Sequence, residues 1–297
     1  MRLPPHLDRL ESEAIHILRD GVAEAERPVI LFSAGKDSTV LAHLAIRAFY
    51  PSPPPAPLLH VDSTWEFKDL MAFRDDFAKK WNFELLVRSN EKGRAEGVNP
   101  FDHGSYYTTT MRTEALKNSL DEGKFDVIFG GARRDEEASR AKERIVSVRD
   151  KSHGWEPRRQ RPELWNNYNW RRSPGETLRV YPISNWTESD LWDYILIRNI
   201  ELAPLYYAAP RPVVERDGVL IVVDDEKTMR FEPGEEPKME TVRFRTLGCW
   251  PVTGAIKSDA ADNAGIVREN RAANISERQG RVSDEGSLEA QKRAGYF

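Results

Sequence analysis

Hydrophobic and polar positions follow two alternating periods along the chain. From residue 6 to 26, Leu7, Leu10, Ala14, Ile17, Leu18 and Val22 recur near one face at helical spacing with charges between them, which predicts an amphipathic packing helix. Pro28 opens a short apolar run over 29–32, followed by a small and polar stretch, 33–38, and a helical pattern over 40–50. The succession repeats. A strand at 58–61 precedes a helix over 67–81 with Leu70, Phe73 and Phe77 inward, a strand at 84–87 precedes a helix over 111–120, and a strand at 126–129 ends at Gly130 and Gly131. Residues 178–183 read as a further extended segment. Strands alternating with helices predict an α/β fold, a parallel sheet with helices on both faces.

Thr187 with Asp190 three places later caps a helix running through Trp192 and Ile195. Asp217-Gly218 between the apolar runs of 213–223 is a hairpin signal, and 231–237 is a polar, proline-interrupted loop. The chain thus divides into an amino-terminal helix (1–27), a main α/β domain (28–230) and a partly irregular carboxy-terminal extension (231–297) that packs over the site or onto a partner. The extension holds 246–251, one helix near 260–271 and a polar tail. No internal repeat is evident.

Composition narrows the functional classes. With 297 residues, 39% hydrophobic and 10% aromatic, the chain is long enough to bury a core despite a mean hydropathy of −0.63. Forty-four Lys and Arg against 48 Asp and Glu leave a net charge of −4, which argues against a general nucleic-acid binder, so any anion site must be local. The lone Cys249 excludes an intramolecular disulfide and a Cys-rich zinc site and suits a reducing compartment. The amino terminus lacks the apolar core of a secretory signal, and no apolar run approaches the ~20 residues of a membrane helix. A cytoplasmic protein without membrane contact is expected. Six dispersed histidines, His60 and His103 among them, lack ligand spacing for a transition metal.

The chemistry is concentrated in Ser33-Ala34-Gly35-Lys36-Asp37-Ser38. Where a buried strand hands over to a helix, backbone N–H groups and the positive helix end converge on one space, and an anion belongs there. Lys36 adds a point charge, Ser33 and Ser38 add hydroxyl donors, and Asp37 can hold a magnesium ion against phosphate oxygens. A Walker A loop would need glycine at 30 and Ser or Thr directly after the lysine, whereas this chain has Ile30 and Asp37.

The segment resembles the S-x-G-x-D-S loop of the N-type ATP pyrophosphatases. The rest of the chain resembles the small, catalytic subunit of the bacterial heterodimeric sulfate adenylyltransferases. The likeness lies in His60-Val61-Asp62, Asn99-Pro100-Phe101, the blocks 129–144, 160–169 and 243–251, the segment 276–281 and the terminal Gly295-Tyr296-Phe297. Where Thr-Gly is more usual in that family this chain carries Ser63-Thr64, and it has Ala34 and Thr39 in and after the loop. The resemblance implies an adenine nucleotide alpha hydrolase-like, Rossmann-like fold. It also implies the reaction of ATP with sulfate to give adenylyl sulfate and pyrophosphate, with magnesium accompanying ATP. A GTPase large subunit would be the partner, carrying the GTP site that this chain lacks.

Sulfate is a weak, doubly charged nucleophile approaching a polyanion, so such a site needs fixed cations rather than a protein nucleophile. Between Arg133 and Arg172 there are twelve Lys or Arg against seven Asp or Glu. Arg133 and Arg134, directly after Gly130 and Gly131 at the edge where ligands gather in parallel α/β sheets, are the leading sulfate candidates, with Lys142, Arg144, Arg243 and Arg245 behind them. Asp62, closing the second strand, is expected beside adenosine. Lys36, Asp37, Arg133 and Arg134 are the expected catalytic set. A reductase of adenylylated sulfate would require a cysteine attack, but Cys249 has Val252 in the place of a C-x-x-C partner. An RNA-modifying adenylating enzyme would call for a basic appendage or catalytic cysteines, and a GTPase-binding scaffold need not retain Lys36, Asp37, Arg133 and Arg134 together.

Overall fold

A computed structural model describes residues 2–136 and 138–272. The expected tail segment 276–281 and the terminal Tyr296-Phe297 lie outside the described residues.

The first helix, α1 (Pro5–Glu24), starts with proline at its first turn, where no amide partner is lost, and turns Leu7, Ala14, Ile17 and Leu18 inward. Gly21 allows its close approach to the sheet, because a Cβ there would stand 2.7 Å from the Phe129 ring. One charged residue, Glu11, shares the buried face. Its carboxylate accepts from Tyr194 Oη at 2.5 Å and pairs with Arg47 at 2.9 Å and Arg198 at 2.8 Å, so α1 is tied to two later helices.

Next come β1 (Pro28–Leu31), α2 (Lys36–Phe49), β2 (Leu58–Val61), α3 (Lys68–Lys80) and β3 (Leu85–Arg88). Short helices α4 (Glu91–Ala95) and α5 (Pro100–Thr108) lead through a π-helical turn, Thr109–Glu114, into α6 (Ala115–Gly123) and β4 (Val127–Phe129). Beyond α7 (Ala138–Ala141) lie β5 (Val146–Arg149), β6 (Thr177–Val180) and α8 (Glu188–Arg198). Thr187 and Asp190 cap α8 reciprocally, as their spacing predicts.

The strand order is β3-β2-β1-β4-β6-β5. The first five strands are parallel, and β5 adds an antiparallel edge on β6. One apolar cluster, drawn from α1, α2, α3 and α8, covers one face, and a second, with Leu116, Leu120 and Phe125, covers the other. Because β2 and β4 both flank β1, the chain leaves β1 in opposite directions on its two sides. This switch point opens a crevice at the carboxyl ends of β1 and β4. Ile30 lies in register with Phe129, so the 33–38 loop and Gly130-Gly131 emerge side by side.

A four-stranded antiparallel barrel follows, ordered β10-β8-β7-β9, from β7 (Ala209–Arg216), β8 (Val219–Val222), β9 (Lys238–Arg243) and β10 (Gly254–Lys257). Its hairpin turn holds Asp217 at φ +50° and Gly218 at φ +76°, the paired left-handed residues that a two-residue hairpin loop requires. The barrel draws strands from both sides of residue 230, and closure makes the beginning of the extension a partner of the expected hairpin. It docks through Phe244, whose ring is 4.9 Å from that of Phe67, and Trp250, 5.5 Å from Trp65. A last helix, α9 (Asn263–Ala272), is fastened to β9 by Arg243, which pairs with Glu269.

Candidate active site

At the end of β1 the backbone turns through Ala34 at φ +58°, and Gly35 hands it to α2, which begins at Lys36. Asp37 and Ser38 thus lie in the first helical turn, whose amides have no intrahelical acceptor. Ser38 Oγ donates to Gly35 O at 3.0 Å and lies 3.3 Å from Ser33 Oγ, which holds the two hydroxyls together. The Lys36 amide is already engaged, donating to Tyr206 Oη at 2.8 Å. Tyr206 arrives from a turn after α8, 170 residues away, and fixes the loop from the side.

Lys36 is 1% exposed. Its Nζ is 3.1 Å from Asp37 Oδ2, while Arg133 Nε donates to Asp37 Oδ1 at 2.6 Å. Asp37 therefore stands between two buried cations. Burial pushes its carboxyl up, but Lys36 and Arg133 outweigh that effect and hold it well below the usual carboxylate range. Burial lowers Lys36 from the ordinary lysine value, against the opposing pull of Asp37. For Arg133, burial is overcome by Asp37 and Glu136, and its pKa rises.

Gly131 supplies the other wall. A Cβ there would come within 3.0 Å of the Asp37 carbonyl carbon and 3.1 Å of the Ser38 nitrogen, both backbone atoms. Only glycine lets β4's exit pack so closely on α2's first turn. The following turn is self-bonded, with the Arg133 amide donating to Glu136 Oε1 at 3.1 Å, and it is joined to α8 by the Glu188 amide donating to Asp135 Oδ2 at 2.9 Å. Arg245 reaches the same corner, 3.4 Å from Glu188.

Lys36, Asp37 and Arg133 thus form one cluster with Gly131, Tyr206 and Glu188. Arg134 turns away from Asp37 toward Asn185, at 2.5 Å, and Glu163, at 3.8 Å, with a third of its side chain exposed. Lys142 and Arg144 are exposed, and Arg243 is buried in its pair with Glu269, directed at α9 rather than at the loop. Asp62 lies at the end of β2, where it accepts from the Thr64 amide at 2.7 Å and pairs with Arg94 at 3.2 Å. It lines a cavity of about 600 Å³ with Trp65, Met71, Val98 and Arg230, a volume within the range of small-molecule sites. His60 beside it is buried and spans the two strands, its Nδ1 2.9 Å from Phe32 O. Cys249 is 2% exposed and its Sγ contacts Tyr107 Oη at 2.9 Å, outside the cluster.

Sequence reasoning missed Tyr206 and Glu188. Neither belongs to a local motif. The capping signal at Thr187 located the start of α8, but not that this end meets the 133–136 turn.

A family model for the phosphoadenosine phosphosulfate reductase domain matches residues 27–255. Sulfate adenylyltransferase subunit 2 of Acinetobacter baumannii (strain AYE) is 57% identical over 296 residues, covering 98% of this chain and 97% of that protein. The same-named protein of Caulobacter vibrioides is 58% identical, covering 98% and 95%. The chain belongs to the sulfate adenylyltransferase subunit 2 family. Like the rest of that family it is a nucleotidyltransferase, and the designation as subunit 2 implies a partner subunit. The solved FMN adenylyltransferase of Candida glabrata with FAD and inorganic pyrophosphate shares the fold, with a TM-score of 0.52 and 13% identity over 94% of this chain and 89% of that one. Among the described residues no helix of this family member is long and apolar enough to cross a membrane.

Proposed function

We propose that the protein is the catalytic subunit of a cytoplasmic sulfate adenylyltransferase, joining ATP and sulfate to give adenylyl sulfate and pyrophosphate. The observation that carries this reading is the Lys36–Asp37–Arg133 cluster, set at the switch point against the first turn of α2. A sulfate oxygen bonds to the α-phosphorus, the bond from that phosphorus to the bridging oxygen of the β-phosphate breaks, and the electron pair leaves with pyrophosphate. No protein nucleophile is needed. The 33–38 loop receives the departing diphosphate on its amides and hydroxyls, and Lys36 stabilises its developing charge. Asp37 holds Lys36 and Arg133 in place. Asp62 and its cavity accommodate the nucleoside. Arg134, which is partly exposed, and Arg245 steer sulfate, with Arg133 closing the phosphate side.

Carboxylates accompany these cations: Asp37, Asp135, Glu136 and Glu188 each contact or neighbour one of them. Extra positive charge must therefore arrive with the substrate. Both oxygens of Asp37 are engaged by cations, so a magnesium ion entering with ATP would be held by phosphate oxygens, with Asp37 reaching it only if Lys36 or Arg133 turned to the phosphates. The subunit 2 designation of the relatives supports a partner. A phosphate–sulfate anhydride is less stable than the bond broken in ATP, which supports a partner that couples GTP hydrolysis.

Pyrophosphate release from ATP, measured with and without sulfate and with the co-purified partner and GTP, tests the reading. Release that requires sulfate and rises with GTP is expected; release indifferent to sulfate would overturn it.

A further inference from the structure

On the sheet face away from the α1–α2 layer, β5 and β6 place two arginines at diagonal positions across the strand pair. Val146, Val148, Leu178 and Val180 point into the larger apolar core, so Ser147, Arg149, Thr177, Arg179 and Tyr181 alternate to the opposite face. Arg149 is in register with Thr177, and Ser147 with Arg179, which puts these side chains within cross-strand reach. Arg149 and Arg179 are each 1% exposed.

Their donors are only partly used. Arg149 Nη2 donates to Glu143 and, at 3.1 Å, to Tyr181 Oη, and Tyr181 in turn donates to Glu143 Oε1 at 3.1 Å. Among the described residues, Arg149 Nη1, all three nitrogens of Arg179 and Thr177 Oγ1 are buried without a hydrogen-bond partner. His153 also lies close to Arg179; its Nε2 is 2.9 Å from Asp121 Oδ1, and its Nδ1 is a further buried atom without a hydrogen-bond partner among the described residues. An unpaired buried guanidinium is strongly unfavourable.

Five buried donor atoms on three neighbouring residues call for a guest that accepts. Water accepts two hydrogen bonds and must then place its own two protons, so it leaves most of this set unanswered. Around Tyr181 three guanidiniums, Arg140, Arg149 and Arg179, stand against Glu143, with Arg140 also paired with Glu136 at 3.8 Å, which leaves one positive charge for a monovalent anion to neutralise. We propose that Arg149, Thr177 and Arg179 form a buried monovalent-anion site, taking chloride, under the edge of the sheet. The site lies beside the crevice: the Tyr181 ring would lie 3.2 Å from a Cβ on Gly130, the residue that leads to Gly131 and Arg133. Chloride there braces the floor of the 130–133 segment.

The test uses the full chain with bromide as probe. A bromide anomalous peak within hydrogen-bond distance of the Arg179 guanidinium is expected in wild type and not in Arg179→Met. Thermal melting in sodium chloride against sodium gluconate at equal ionic strength should show saturable chloride stabilisation in wild type and none in Arg179→Met. Thr177→Val keeps both arginines and most of the packing, and should weaken the half-saturating chloride concentration about tenfold. A peak without any melting response would mean an adventitious ion only and would overturn the proposal. So would a response without a peak, a response unchanged in both variants, or sulfate replacing chloride at lower concentration.

Discussion

Arg133 Nε donates to Asp37 Oδ1 at 2.6 Å, across 96 residues of sequence, and so joins the loop after β1 to the turn after β4. The ion pair is the physical link between the two sides of the crevice. Its carboxylate also holds Lys36, and removing it leaves two buried cations facing each other.

Asp37→Asn should therefore cost more than a hydrogen bond. Breaking a buried pair by neutralising one partner typically costs about 3–5 kcal/mol. Pyrophosphate release should fall by at least ~100-fold, the scale of losing one preorganised charge contact. Steady-state release assays with circular dichroism as a folding control check this. A folded variant with undiminished release would remove Asp37 from the mechanism.

Gly131→Ala should separate nucleotide binding from folding. The added methyl meets backbone atoms of Asp37 and Ser38 at 3.0 and 3.1 Å, so the first turn of α2 must shift. The expected outcome is a raised KM for ATP with the KM for sulfate little changed. Equal effects on both would contradict a wall specific to the phosphate loop.

Thr64→Gly should stabilise the protein. Thr64 sits at φ +73°, a left-handed conformation that is costly for a β-branched residue. A gain of about 1 kcal/mol is expected, read as a raised urea midpoint at constant m-value. A lowered midpoint would show that the threonine side chain offsets its own strain.

Burial pushes the His60 imidazole down to about 4, with Arg74 acting in the same direction. The unfolded chain takes up the proton near 6.5, before the folded one does. Stability is thus fully present above pH 6.5 and is lost as pH falls from there toward 4. His60→Asn can keep the hydrogen bond to Phe32 O while abolishing the titration, so its stability should depend less steeply on pH across that window. An identical slope in chemical denaturation would contradict the buried neutral histidine.

Much of the fold was legible because the apolar runs are short, sharply bounded and followed by helical spacing. The strands at 58–61 and 126–129, and the α8 cap, fall where pattern and capping chemistry put them. β5 escaped notice because its alternation is inverted by chemistry: Ser147 and Arg149 are buried and polar, so Val146 and Val148 alone carry too weak a signal. Helix α2 begins at Lys36, not at 40, because charged residues of the first turn do not read as helical until Asp37 is paired. The approach to α6 contains a π-helical turn, which shifts the 3.6-residue period that sequence reading relies on.

The site was legible where it is local and hidden where it is assembled. The 33–38 segment and Arg133 announce themselves by type and spacing. Arg243 carries the same charge, yet it is spent on Glu269 of α9; sequence cannot distinguish a guanidinium aimed at a ligand from one aimed at a helix. Tyr206 and Glu188 reach the loop only through the packing of α8 onto the sheet.

The most direct measurement is the structure of the protein with α,β-methylene ATP and magnesium. The β- and γ-phosphates should lie on the amides of the first turn of α2, within hydrogen-bond distance of Lys36 Nζ and the hydroxyls of Ser33 and Ser38, with the nucleoside toward Asp62. A triphosphate lodged elsewhere, with the 33–38 loop facing solvent, would contradict the account.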